Sequence, residues 1–136
     1  MKNILVLGAA GQIGSELVPY LRKFYGSNAV VAAYRSTPLT TEIREGGPCE
    51  NLDAMEADKI FEVVKKYNID TIINLVAVLS AKGEANPVKA WNINMGSLIN
   101  SLEIMREVKG AVFTPSSIGA FGPSTPLDNT PQDTIM

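Results

Sequence analysis

A chain of 136 residues with 46% hydrophobic and 19% charged content suits one compact domain and is too evenly mixed for a disordered or bilayer-spanning one. Its 12 basic and 14 acidic residues give a formal charge of -2 with no basic face, so nucleic-acid binding is not expected. The single cysteine, Cys49, has no internal disulfide partner, and the absence of histidine removes the commonest metal ligand and the usual base of a serine triad. Metal hydrolysis and histidine-assisted acyl transfer are thereby disfavoured, and no metal site is expected. The first apolar run stops at Gly8, too soon for a signal peptide, and no stretch approaches the roughly 20 apolar residues of a membrane span. The expectation is a cytoplasmic protein without membrane contact.

Asn3 to Leu7 is a short apolar run of the kind that forms a parallel strand buried on both faces, and it ends in a glycine cluster. The helix behind it carries Ile13, Leu17, Leu21 and Phe24 at spacings that share one face, with Gly26 as its C-terminal cap. Pro19 lies beyond the first turn, where an interior proline costs about 3 kcal/mol. Ala29 to Tyr34 repeats the strand signal. A polar loop through Gly46-Gly47-Pro48 then precedes a short strand ending near Asp53. Ile60, Val63, Val64 and Tyr67 form the stripe of an amphipathic helix that ends at Asn68. Asp70 to Val78 reads as a strand. Pro87 opens a long helix with Trp91, Met95, Leu98, Leu102 and Met105 on one face, closed by Gly110, and Ala111 to Thr114 is the last strand. Strands alternating with helices at this pitch specify an α/β fold, an open parallel sheet with helices on both faces. The domain spans residues 1–122, and 123–136 form an aperiodic loop.

Gly8-Ala9-Ala10-Gly11-Gln12-Ile13-Gly14 places three glycines between the first strand and the first helix. A phosphate-binding turn needs a tight bend at the first glycine, close backbone approach to a pyrophosphate at the second and close helix–sheet packing at the third. The position about 20 residues on, which is acidic when NAD is preferred, is Tyr34. Arg35 beside it is either a solvated charge or, with Ser36, a partner for the 2'-phosphate of NADP. Asp53 is either a hydrogen-bond acceptor for adenine or a turn former ahead of a helix. Leu75, Val76, Ala77 and Val78 lie at the carboxyl end of a strand, where they serve as core, as cofactor floor, or as both. Ser116 and Ser117 end the last strand and either form a turn or hold a substrate oxygen while hydride moves.

With Asn94, these features resemble the extended short-chain dehydrogenase/reductase superfamily over essentially the whole chain. The strings GQIGSELVPYLR (Gly11 to Arg22), LSAKGEANP (Leu79 to Pro87), PSSIGAFGP (Pro115 to Pro123) and NTPQDTIM (Asn129 to Met136) narrow the resemblance to its L-threonine 3-dehydrogenases. The resemblance implies a Rossmann-type doubly wound sheet, truncated after about five strands, in an oxidoreductase that converts L-threonine to 2-amino-3-ketobutyrate with NAD. It implies that Gly8, Gly11, Gln12, Ile13 and Gly14 hold the pyrophosphate, and that Asp53 and Leu75 border the adenosine. Ser80 would line the substrate pocket. Ser117 would belong to the catalytic set, with Ser116 beside it and Asn94 in support. A homodimer formed through helices including the one from Pro87 to Val108 is also implied.

Three departures accompany the resemblance. Tyr34 stands where the family carries Asp, which leaves NADP as the alternative cofactor. Asn94-Met95-Gly96-Ser97 stands where Asn-Met-Asn-Gly is usual. None of Tyr20, Tyr25, Tyr34 and Tyr67 begins the Tyr-x-x-x-Lys motif that supplies the catalytic tyrosine and lysine. General acid–base help is worth about 100- to 10,000-fold in rate, so the chain alone is expected to be nearly inactive, a fragment of a longer enzyme with its last strand uncovered. Two other readings compete: a sugar-nucleotide epimerase or dehydratase of the same superfamily, and a non-catalytic NAD(P)-binding sensor.

Overall fold

The computed structural model of the chain describes residues 1–116, 125, 126 and 128. The opening apolar run forms β1 (Ile4–Leu7), all four residues buried. It lies between two parallel neighbours, β2 (Val30–Tyr34) and β4 (Thr71–Asn74). The short β3 (Cys49–Asn51) pairs with β2, and β5 (Ala111–Phe113) pairs with β4. The resulting sheet has five parallel strands in the order β3-β2-β1-β4-β5. The order reverses at β1, the switch point at which an open α/β sheet forms its crevice. Leu7 lies level with Ala33 and with Asn74, so three strands deliver their carboxyl ends to one place.

Because strand residues alternate between faces, β1 feeds two cores. Leu5 and Leu7 join Val31, Ala33, Ile60, Val64, Ile72, Ile104 and Met105 on one side. Ile4 and Val6 join Val18, Leu21, Val30, Ala32, Ile43 and Ile73 on the other. The expected fold class is therefore present, with α3 (Ala57–Lys66) and α5 (Pro87–Val108) covering the first face and α1 (Gln12–Tyr25) and α2 (Thr41–Glu45) the second. No helix among the described residues is long and apolar enough to cross a membrane.

Several local expectations hold. Ile60, Val63 and Val64 are the buried face of α3, and Asn68 leaves its end with φ of 51°. Asn86 caps α5 by accepting from the Lys89 amide at 3.0 Å, with Pro87 in the first turn, where a missing N–H costs nothing. Lys109 adopts a left-handed conformation just before Gly110. The strand expected over Asp70 to Val78 is shorter, because the Asn74 side chain takes the Val76 amide at 3.1 Å and ends the ladder.

Other expectations are corrected. α1 buries Gly14, Val18, Leu21 and Arg22, whereas Ile13 and Phe24 face outward at 59% and 73% exposure. Gly14 must meet the backbone of the turn that follows β1, and that contact sets the rotation of the whole helix. α5 buries Ser97, Ser101, Ile104 and Met105, while Trp91 and Leu102 of the expected stripe are exposed. Its first half meets polar groups at the end of β4, so its inner face there is small and polar. α2 and α4 (Ser80–Ala85) were not foreseen. α2 has only Ile43 as a buried anchor and a Thr40 cap that accepts the Ile43 amide. Pro19 lies inside α1, and nothing in the structure explains its tolerance.

Arg22 is the main buried charge that the sequence did not announce, at 6% exposure. Its guanidinium donates to the carbonyls of Val30 at 3.2 Å and Pro48 at 2.7 Å, and to that of Ile43. One side chain of α1 thus fastens β2, the end of α2 and the start of β3. Gly46-Gly47 permits the approach: a β-carbon on Gly47 would stand 2.8 Å from Arg22 Nε. At the same amino end of the sheet, beside β1 and β4, Asp70 accepts from the amides of Lys2 at 2.7 Å and Asn3 at 3.3 Å and from the Thr71 hydroxyl at 2.7 Å. Burial pushes its pKa up, but these donors outweigh burial and hold it below the usual carboxylate value. Replacing Arg22 by methionine keeps the volume and strips charged donors from buried carbonyls, which costs about 3 kcal/mol. Urea unfolding of Arg22→Met should show a loss of that order, and an unchanged midpoint would contradict the role given to Arg22.

Candidate cofactor cleft

The first turn after β1 is made of backbone because backbone is all that fits. Gly8 has φ of 83°, and a β-carbon there would lie 3.1 Å from the Leu75 carbonyl carbon. The Gly11 amide donates to the Gly8 carbonyl at 3.0 Å and closes the bend. A β-carbon on Gly14 would fall 2.5 Å from the Gly8 oxygen and 2.7 Å from the Ala9 α-carbon, so α1 approaches β1 as closely as polypeptide allows. Gly11 occupies the N-cap of α1 without a side-chain acceptor. The amides of Gln12, Ile13 and Gly14 therefore have no partner within the helix and carry the positive end of its dipole. A glycine cradle under an uncapped helix start fits a pyrophosphate.

The cradle opens into a cleft of about 270 Å³ across the carboxyl ends of the strands. Gly8, Ala10 and Gly11 form one wall, and Tyr34, Arg35, Ser36, Thr37 and Asp53 form the other. Leu75, Val76, Ala77 and Val78 make the floor, with Ile93 beside them. The structure thus brings together Gly8, Gly11, Tyr34, Arg35, Asp53, Leu75 and Ala77 from the expected site. It does not bring in the side chains of Ile13, which points to a shallow groove on the outer face with Glu16 and Leu17, or of Gln12. Only their amides lie at the helix start. Arg35 Nη1 stands 3.3 Å from Asp53 Oδ2, and the Asn51 amide group donates to the Arg35 carbonyl at 2.7 Å. Asp53 Oδ1 accepts the Met55 amide at 3.0 Å. Asp53 is therefore a turn former and a cleft residue at once.

Asn94 grips the backbone beyond β4 at both polar groups of one residue. Its Oδ1 accepts from the Val78 amide at 2.7 Å and its Nδ2 donates to the Val78 carbonyl at 3.3 Å. Below it runs a polar seam that the sequence reading missed. Asn74, 3% exposed, donates to Ser97 Oγ at 3.2 Å. Ser97 donates to the Asn94 carbonyl at 3.3 Å, and Ser101 donates to the Ser97 carbonyl at 2.8 Å. The signal was available as Asn94, Ser97 and Ser101, polar residues at helical spacing on one face. Gly96 adds a second reason for small residues here, since a β-carbon would come 2.6 Å from the Met55 methyl group. Ser80 opens α4, two residues after the gripped Val78. Ser116 is exposed beyond the carboxyl end of β5. Ser117 and most of the expected terminal loop over 123–136 lie outside the described residues.

The strand order, the switch point at β1 and the glycine cradle define a Rossmann-type α/β domain. Its relatives agree. The chain belongs to the NAD dependent epimerase/dehydratase family, whose model matches residues 4–135. It is 49% identical over all 136 residues to an uncharacterized epimerase/dehydratase of Staphylococcus saprophyticus and spans 42% of that protein. Among solved structures it is similar to the L-threonine dehydrogenase of Clostridium difficile, with a TM-score of 0.90, 50% identity and coverage of 99% of this chain and 42% of that one. The GalE-like L-threonine dehydrogenase of Cupriavidus necator, in its holo form, matches at a TM-score of 0.87 and 43% identity, covering 98% of this chain and 43% of that one. The chain thus spans less than half the length of the relatives it matches.

The cradle makes one prediction with an unusual sign. Alanine is the better helix former by about 1 kcal/mol, yet Gly14→Ala should lower stability by about 2 kcal/mol or more because the new methyl group meets backbone that cannot yield. Chemical unfolding of the variant settles the sign, and a gain in stability would mean that α1 is free to lift from β1.

Proposed function

We propose that this chain is the dinucleotide-binding part of an oxidoreductase that oxidises the side-chain hydroxyl of L-threonine to 2-amino-3-ketobutyrate with NAD. The observation that carries the reading is the glycine cradle beneath the uncapped start of α1, opening on a cleft that ends at Arg35 and Asp53. The threonine assignment is supported by the likeness to L-threonine dehydrogenases at 50% and 43% identity. A sugar-nucleotide substrate has weaker support, since a UDP-glucose 4-epimerase matches at 27% identity.

Bound in the cleft, the nicotinamide ring would accept hydride from the carbon that bears the threonine hydroxyl. The chain's own residues have narrower tasks. The amides of Gln12, Ile13 and Gly14 bind phosphate oxygens. Leu75 and Ala77 exclude water from the floor, and Asn94 fixes that floor through Val78. Ser117, with Ser116 beside it, holds the substrate oxygen, and Ser80 borders the substrate. No tyrosine of this chain is followed four residues on by lysine, so no such pair takes the hydroxyl proton. Binding without appreciable turnover is the expected behaviour of the 136 residues alone.

A calorimetric titration with NAD, and separately with NADP, tests the reading. Saturable binding of NAD is expected, with no accumulation of NADH when L-threonine is added. A folded chain that binds neither dinucleotide would overturn the assignment, and firm preference for NADP would argue against the threonine dehydrogenase likeness. Self-association is the second expectation. Val88, Trp91, Ile99 and Leu102 expose apolar surface along α5, and Phe113 does so on the edge strand β5, and surface of this kind favours association. Sedimentation velocity should find a dimer or larger species at micromolar concentration, and a monomer throughout would refute it.

A further inference from the structure

The adenosine end of a Rossmann-type cleft chooses between NAD and NADP at one hydroxyl. A carboxylate at the end of β2 accepts from the ribose diol, whereas an arginine there accommodates a 2'-phosphate. Here β2 supplies the second set of groups. The strand ends at Tyr34, and Arg35, Ser36 and Thr37 follow along the cleft wall. Read from β2 alone, the chain is furnished for the phosphorylated dinucleotide.

β3 reverses that reading. Asp53, just beyond its end, sets Oδ2 3.3 Å from Arg35 Nη1 and lines the same wall. Neither partner is adrift. The Arg35 carbonyl is held by Asn51 Nδ2 at 2.7 Å, and the other Asp53 oxygen is held by the Met55 amide at 3.0 Å. A phosphate approaching Arg35 therefore meets a carboxylate fixed beside it, and like charges brought together oppose binding. An uncharged ribose diol meets no such opposition and finds an acceptor. The pair is solvent-facing, 61% and 30% exposed, and so is weak as an ion pair. Its effect comes from the position of the negative charge, not from locking Arg35 in place.

We propose that the Arg35–Asp53 pair is this chain's cofactor selector, in which Asp53 supplies from β3 the carboxylate that Tyr34 lacks and masks Arg35 from a 2'-phosphate. The inference rests on the dinucleotide-binding reading above and deepens it. It also assigns a latent specificity: with the carboxylate neutralised, the Arg35, Ser36 and Thr37 wall becomes a site for the 2'-phosphate.

Asp53→Asn removes the charge and keeps an acceptor for the Met55 amide, so the turn should survive. Calorimetric titrations of the unaltered chain, Asp53→Asn and Asp53→Asn/Arg35→Ala with NAD and with NADP read out the selector directly. The unaltered chain should favour NAD. Asp53→Asn should shift the ratio of the two dissociation constants toward NADP by about tenfold, the scale of one removed like-charge contact. That shift should shrink as salt screens it and vanish in the double variant. A ratio unmoved by Asp53→Asn, a shift that persists without Arg35, or a preference for NADP in the unaltered chain each overturns the selector. An unaltered, folded chain that binds neither dinucleotide overturns the binding reading with it. Tight NAD binding with an unmoved ratio overturns the selector alone.

Discussion

The structure depends on one contact in which no side chain takes part. Gly14 lies against the Gly8 carbonyl and the Ala9 backbone, so α1 and β1 meet at a separation that any other residue would enlarge. Three consequences follow. The start of α1 is brought over the end of β1, where its unpartnered amides face the cleft. The rotation of α1 is fixed, so that Val18 and Leu21 enter the core while Ile13 and Phe24 face water. One further turn along the same face, Arg22 is carried inward to the carbonyls that join β2, α2 and β3. The geometry of the glycine cradle and the anchoring of one sheet edge thus share a cause.

What could be read from the sequence followed this logic unevenly. β1, β2 and α3 were legible because their burial is two-sided or regularly periodic, and the pattern of apolar residues is then the pattern of burial. The glycine turn was legible because its geometry excludes side chains at Gly8 and Gly14. The inner faces of α1 and α5 were not. In α1 the residue that sets the face is a glycine, which no search for apolar stripes detects. In α5 the inner face begins as Asn94, Ser97 and Ser101, and the apolar residues Trp91 and Leu102 lie outside it. Arg22 looked like a surface charge because its partners, the carbonyls of Val30, Ile43 and Pro48, belong to segments whose approach is visible only in three dimensions.

The polar seam has a physical reason to lie where it does. The Leu75 amide still donates to the Leu7 carbonyl at 3.0 Å, but beyond it the floor of the cleft leaves the sheet and its polar backbone groups need other partners. Such groups are costly unless paired. Asn74 takes the Val76 amide and Asn94 takes both groups of Val78, so the floor is held by side chains where strand neighbours no longer reach. Ser97 ties the two asparagines together, accepting from one side chain and donating to the carbonyl of the other. An apolar α5 would give stronger packing and a floor free to move. The sequence accepts a small, polar helix face in exchange for a fixed surface.

The proposed function assigns binding and chemistry to different parts of this fold. Every group assigned to holding a dinucleotide lies between Gly8 and Asn94, on strand ends kept level by the pairing of Leu7 with Ala33 and Asn74. Those groups act mostly through backbone amides and fixed carbonyls, which need only the sheet, α1 and α5 to be in place. The residues proposed for substrate lie at the start of α4 and beyond β5, a strand at the edge of the described sheet and partly exposed. A group that must bring a hydroxyl within reach of hydride transfer needs tighter positioning than a group that holds a phosphate, because rate is more sensitive to misplacement than affinity is. The physical division therefore falls within the sheet itself: β1, β2, β3 and β4 carry the cradle and the cleft walls to one place, and the groups proposed for substrate lie outside that frame.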